Sequence, residues 1–122
     1  MTLQRTIDPQ QKTFTAYGEG YVSVNGERFI KPIVLTPEQI FGDWNAPDFA
    51  SLTAEHFDYF LSMKPEVLLF GTGEKHEFPH PQLYRNLINA GIAIEFMSTP
   101  AACRTYNILI AEDRKVVAAV LI

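Results

Sequence analysis

Residues 66–73 read EVLLFGTG: one acidic residue, four apolar side chains, then Gly71-Thr72-Gly73 and the charged run Glu74-Lys75-His76. Four successive apolar residues leave no polar face, so a strand here is covered on both sides and belongs in the interior of a sheet. The two glycines behind it end the strand abruptly, as a ligand loop or as a tight turn. The segments on either side of this stretch give the strand its partners.

Downstream, His80 is placed to cap a helix with Pro81 in its first turn, and Leu83, Leu87 and Ala90 share one side of it up to Gly91. The run IAIEF at 92–96 predicts another short strand. Ser98 or Thr99 caps the next helix, which has Pro100 near its start and an inward stripe of Cys103, Tyr106 and Leu109 or Ile110. After the polar break at 112–115, VVAAVLI suits a last buried strand. Upstream, FTAYGEGYVSVNGERFIKPIVL at 14–35 is hairpin sequence: Val22 and Val24 share a face, and Asn25-Gly26 suits a two-residue turn. In 36–65, Thr53 caps a helix that buries Phe57, Phe60 and Leu61 before Pro65 stops it. A β-rich front followed by alternating helices and strands predicts an α/β fold with helices covering a central sheet. That sheet is expected to be mixed, with the front hairpins contributing antiparallel pairs. The 122 residues form one domain, with 1–11 a loose lead-in.

Fourteen acidic residues against ten lysines and arginines give a net charge of −4, which repels phosphate-rich partners unless a basic patch overcomes the field. Lys12, Arg28, Lys31, Arg85 and Arg104 are scattered over different elements, so no nucleic-acid partner is expected. A lone cysteine, Cys103, offers no internal disulfide. The chain has no apolar secretory segment and no run near the roughly 20 apolar residues of a membrane helix, so a cytoplasmic location without integral membrane association is expected. GTGEKH has neither P-loop nor GxGxxG spacing, and His76-Glu77-Phe78-Pro79-His80 has the letters of HExxH but sits in a proline-containing loop, without the helix that would put both histidines on one face. No cofactor and no metal are expected.

In α/β sheets, loops leaving the carboxyl ends of neighbouring parallel strands line one crevice. Gly71, Thr72 and Gly73 follow one predicted strand, and Ser98 and Thr99 follow the next. If those strands are parallel neighbours, their hydroxyls share a rim with the helix start near Pro100, whose N–H groups favour a carboxylate or phosphate. The same glycines also serve as turn residues and the same hydroxyls as caps. Cys103, beside Arg104 near the helix start, is either a reactive thiolate with His76 or His80 as base or a packing residue. Arg104 binds an anion or stands in solvent; Asn107, one helical turn after Cys103, fixes a pocket group or neighbouring backbone. Phe41, Trp44 and Phe49 form an aromatic contact patch or cover the core beneath an irregular loop.

The segments EVLLFGTG and GIAIEFMSTPAACRTYNILIAEDRKVVAAVL, with the glycine-rich front hairpin, resemble the Mth-type conserved domain family over roughly 7–122. Its members include the mitochondrial NADH:ubiquinone oxidoreductase complex assembly factor and the adipogenesis-associated Mth domain-containing protein. The positions that carry the likeness are Gly71-Thr72-Gly73, Gly91-Ile92, Glu95, Met97, Thr99, Ala102 and Thr105-Tyr106-Asn107. The resemblance implies a three-layer fold with a mixed central sheet, covering helices and an additional β-hairpin region. It implies no settled reaction, and the family's eukaryotic members look like assembly or regulatory proteins. Two readings stand side by side. One is a non-enzymatic interaction or assembly-support protein with a protein partner. The other is an enzyme acting on a small anionic metabolite near Gly73, Cys103 and Arg104. Self-association through a hairpin edge or the Trp44 loop is open under either.

Overall fold

The computed structural model describes residues 11–122; of the expected lead-in, all but Gln11 lies outside the described residues. The strands are β1 (Phe14–Gly18), β2 (Tyr21–Val24), β3 (Glu27–Phe29), β4 (Ile33–Leu35), β5 (Ile40–Phe41), β6 (Val67–Gly71), β7 (Ala93–Met97) and β8 (Val116–Val120). The helices are α1 (Ala54–Asp58), α2 (Arg85–Asn89) and α3 (Thr99–Ala111), with short 3-10 turns at Phe49–Ser51, Leu61–Met63 and Pro81–Tyr84. A five-stranded sheet runs β5-β4-β8-β6-β7, parallel across β8-β6-β7 and antiparallel at β4-β8 and β4-β5.

The sheet is mixed, but its antiparallel pairs come from β4 and β5. The front hairpins instead close on themselves as a separate antiparallel sheet, β1-β2-β3. Asn25 (φ 48°) and Gly26 (φ 89°) both adopt the left-handed backbone that a tight two-residue hairpin turn requires. That turn commits β2 to pair with β3, and β1 completes the small sheet.

Each buried strand feeds two cores. On β8, Val116, Ala118 and Val120 face a layer made by α3 and the small sheet, with Cys103, Tyr106, Ile110, Val22 and Val24. Val117 and Ala119 face the opposite layer, an aromatic cluster of Trp44, Phe57, Phe60 and Phe70 closed by Leu87 and Ile92. The result is three layers, and each fully buried Phe or Leu contributes about 2 kcal/mol of apolar transfer to holding them together. Alternation explains why β6 is apolar throughout: Val67 and Leu69 serve one core, Leu68 and Phe70 the other.

Helices around prolines are shorter than their periodicity predicts. Pro81–Tyr84 is a 3-10 turn that passes into α2 only at Arg85, so Leu87 is buried while Ala90, just past the helix, is exposed. His80 does cap this turn, its Nδ1 accepting the Gln82 N–H at 3.1 Å. α3 meets its expectation more fully: Ser98 Oγ accepts the Ala101 N–H at 3.3 Å, and Cys103, Tyr106 and Ile110 form the inward stripe.

Candidate functional site at the β6 and β7 rim

β6 and β7 are parallel neighbours with Gly71 opposite Met97, so the connections that follow them leave the sheet at the same end. They are stitched together: the Thr72 N–H donates to the Met97 carbonyl at 2.8 Å, and the Thr99 N–H to the Gly73 carbonyl at 2.7 Å. Thr99 Oγ1 accepts the Gly73 N–H at 2.9 Å and donates to the Leu121 carbonyl at 2.6 Å. Thr72 Oγ1 donates to the Lys75 carbonyl at 2.5 Å and accepts the Glu77 N–H at 3.1 Å. Both threonines are buried. Their hydroxyls hold the loop rather than face solvent.

Glycine is required here by space as well as by backbone. A Cβ on Gly71 would stand 2.8 Å from Thr99 Oγ1 and 3.0 Å from Thr99 Cα, so β6 and the start of α3 approach more closely than any side chain permits. Gly73 has φ 102°, a left-handed backbone that side chains rarely adopt.

The first turn of α3 spends its donors internally. Thr99 N–H serves Gly73, Pro100 has none, Ala101 N–H serves the Ser98 hydroxyl and Ala102 N–H the Ser98 carbonyl. The recess beside it, lined by Tyr17, Tyr21, Gly73, Thr99 and Pro100, has a volume of about 40 Å³. That is space for roughly one water, against the roughly 300 Å³ or more of metabolite pockets.

Arg104 Nη1 donates to the Tyr17 hydroxyl at 2.8 Å, and Asn107 brackets the Phe14 backbone, its Oδ1 accepting the N–H at 3.0 Å and its Nδ2 donating to the carbonyl at 2.8 Å. Both side chains therefore tie α3 to β1. Tyr106 adds a third tie, its hydroxyl donating to the Lys12 carbonyl at 3.0 Å.

Cys103 is buried at 1% exposure, and burial pushes its thiol up to about 12, outweighing the nearby Arg104 charge that lowers it. His76 packs its ring 4.6 Å from Phe78 on the exposed loop, and His80 is the cap already described. Neither histidine shares a hydrogen bond with the thiol. A thiol this basic is almost wholly protonated at pH 8, so iodoacetamide should label native Cys103 at least about 100-fold more slowly than the urea-unfolded chain. Mass spectrometry of timed aliquots checks this; equal rates would mean an accessible thiolate.

Of the three rings read as patch or core cover, Trp44 is inside, 3% exposed, with Nε1 donating to the His56 carbonyl at 2.8 Å. Phe41 and Phe49 are half-buried against the same aromatic cluster. Among the described residues no group of three His, Cys, Asp or Glu side chains is placed to hold a metal ion, and no helix is long and apolar enough to cross a membrane.

A family model described as a protein of unknown function, DUF498/DUF598, matches residues 14–121. The chain belongs to that family. Its relatives include a Francisella tularensis subsp. holarctica protein named 13 kDa major membrane protein, 32% identical over 95% of each chain. Another is NADH dehydrogenase (ubiquinone) 1 alpha subcomplex assembly factor 3 of Mus musculus, 35% identical over 99% of this chain and 66% of the mouse protein. The chain thus spans just under two thirds of that assembly factor's length. Among solved structures, a Bordetella parapertussis protein matches with TM-score 0.85 at 43% identity, covering 91% of this chain and 95% of that one. A Bordetella pertussis protein described as an Mth938-like domain matches with TM-score 0.77 at 34% identity, covering 94% and 87%. The fold is therefore an Mth-type domain.

Two features of this family member escaped the sequence. One is a groove of about 490 Å³ at the opposite end of the sheet, lined by Thr36, Glu38, Met63, Ile110, Arg114 and Lys115 among others. Its walls come from four separate stretches, Gln11, 36–41, Met63 and 110–117, and the antiparallel docking of β4 on β8 brings the second beside the last. The other is a set of exposed apolar side chains, Phe78 at 73% and Ile88 at 53% among them. Phe78 lies between Glu77 and Pro79 with no periodic apolar partner, and that isolation was the available signal.

Proposed function

We propose that this chain is a non-enzymatic, protein-binding domain that supports the assembly of a larger complex, working in the cytoplasm. The observation that carries the reading is the closed rim: hydroxyls and first-turn amides at the end of the sheet where a ligand is expected are engaged within the fold, beside a recess of about 40 Å³. The buried thiol of Cys103 weighs in the same direction, against turnover of an anionic metabolite at Gly73, Cys103 and Arg104. The relatives named as assembly factors supply the kind of partner, a subunit or intermediate of a multi-subunit NADH dehydrogenase.

Removing the gene from its own host should lower the amount of fully assembled NADH dehydrogenase on native gels, with subassemblies accumulating. A gene carrying Cys103→Ala should restore assembly to near the wild-type amount, because a packing residue is replaceable where a nucleophile is not. Normal assembly in the deletion strain would sink the assembly reading. Failure of a folded Cys103→Ala protein to restore it would favour chemistry at the thiol.

A further inference from the structure

A sheet edge presents unpaired backbone to its surroundings, and this fold treats its edges unequally. The outer strand β1 of the small sheet is closed at Phe14 by the Asn107 amide and irregular between Phe14 and Ala16. At the other edges β3 has three residues and β5 two. β7 is five residues long, and β6 is its one strand partner among the described residues. Its Met97 carbonyl turns toward β6 to accept from Thr72. Because backbone groups alternate along a strand, Ala93, Glu95 and Met97 turn toward β6, and Ile94 and Phe96 present N–H and C=O outward.

The two faces beside this edge differ. Ile94 and Phe96 direct their side chains to the aromatic layer, where Tyr84 lies 5.0 Å from Phe96 and the exposed Phe78 ring 6.5 Å from it; Ile88 of α2 is also exposed. On the opposite face the exposed Glu95 is the single charged side chain of the strand. We propose that β7 is a docking edge for an extended segment of a partner protein, which adds a sixth strand and reads as apolar, Lys or Arg, apolar. The two apolar side chains fall beside Ile94 and Phe96, and the cation falls opposite Glu95. The proposal rests on the assembly-support reading and gives it a contact surface.

A second copy of the chain fits this edge poorly. An antiparallel pair using both outward residues of each strand has its twofold axis at Glu95 and sets the two carboxylates directly across from each other. A register centred on Ile94 calls on Ile92, whose N–H already serves the Leu87 carbonyl at 3.0 Å. One centred on Phe96 calls on Ser98, whose carbonyl already accepts from Ala102 at 2.9 Å. A partner strand with a central cation meets none of these obstacles.

The test titrates the full-length, isotope-labelled chain with two blocked seven-residue peptides that carry valine on each side of a central Lys or a central Glu. The Lys peptide should bind about fivefold more tightly, shift the Ile94 and Phe96 amides and slow their exchange. Glu95→Lys, a change at an exposed position, should reverse the order of the two peptides. Phe78→Ala should weaken the Lys peptide about fivefold without altering the order. Equal binding of both peptides, an order unchanged in Glu95→Lys, or slow exchange of both amides in the free monomer would overturn the proposal. So would a dimer of the free chain that protects them. If the deletion strain is defective in assembly and the edge binds neither peptide, the edge fails and the assembly reading stands; selective edge binding with normal assembly is the reverse case.

Discussion

Phe70→Ala should cost about 4 kcal/mol of unfolding free energy, the largest single loss expected from this chain. The ring is fully buried; it stacks on Phe57 at 5.0 Å and meets Trp44 and Phe96 at 5.5 Å each. Truncation removes the transfer energy of the ring and leaves a cavity that these rigid neighbours cannot close, since each is held from another element. Domains of this size have about 5–15 kcal/mol in total, so the variant should sit near its folding threshold. Phe70→Leu keeps most of the volume and should lose less than half as much. Urea unfolding followed by Trp44 fluorescence measures both, and a loss below about 2 kcal/mol for Phe70→Ala would mean that the cluster repacks.

Thr99→Val should cost about 3 kcal/mol although it changes neither size nor shape, because two groups lose their partner together. The Gly73 N–H loses its acceptor and the Leu121 carbonyl its donor, at a threonine whose side chain is buried. Thr99→Ser keeps the hydroxyl and should lose about 1 kcal/mol through its missing methyl. With a urea m-value near 2 kcal/mol/M, the valine variant's midpoint falls by about 1.5 M and the serine variant's by about 0.5 M. Equal midpoints for the two would show that the hydroxyl does not hold the rim. Amide exchange adds a local readout: Gly73 should exchange faster in Thr99→Val.

The capping pattern that marked Ser98 and Thr99 was legible because local hydrogen bonding uses short polar side chains in a fixed way. The structure divides the work between them, Ser98 capping α3 and Thr99 reaching across to β6 and β8. That second role depends on Leu121, which is 22 residues away and carries no motif. Arg104 and Asn107 illustrate the same limit. Both were placed on α3 by spacing alone, but their partners Tyr17 and Phe14 lie 87 and 93 residues away, so a reach toward β1 had no local signal. The sequence leaves both roles of Cys103 open, and only burial on the inner face of α3 gives the thiol its high proton affinity.

The sequence by itself determined the elements: an apolar run with no polar face makes a covered strand, Asn25-Gly26 forces a hairpin, and caps with prolines start helices. These follow from forces acting within a few residues of chain. Tertiary structure decided which edges are closed, that the front hairpins form their own sheet, and that β7 lies at an open margin with Glu95 and Phe78 on opposite faces. Such outcomes arise from pairing and burial between distant segments, where the free energy belongs to the contact and not to either stretch of sequence.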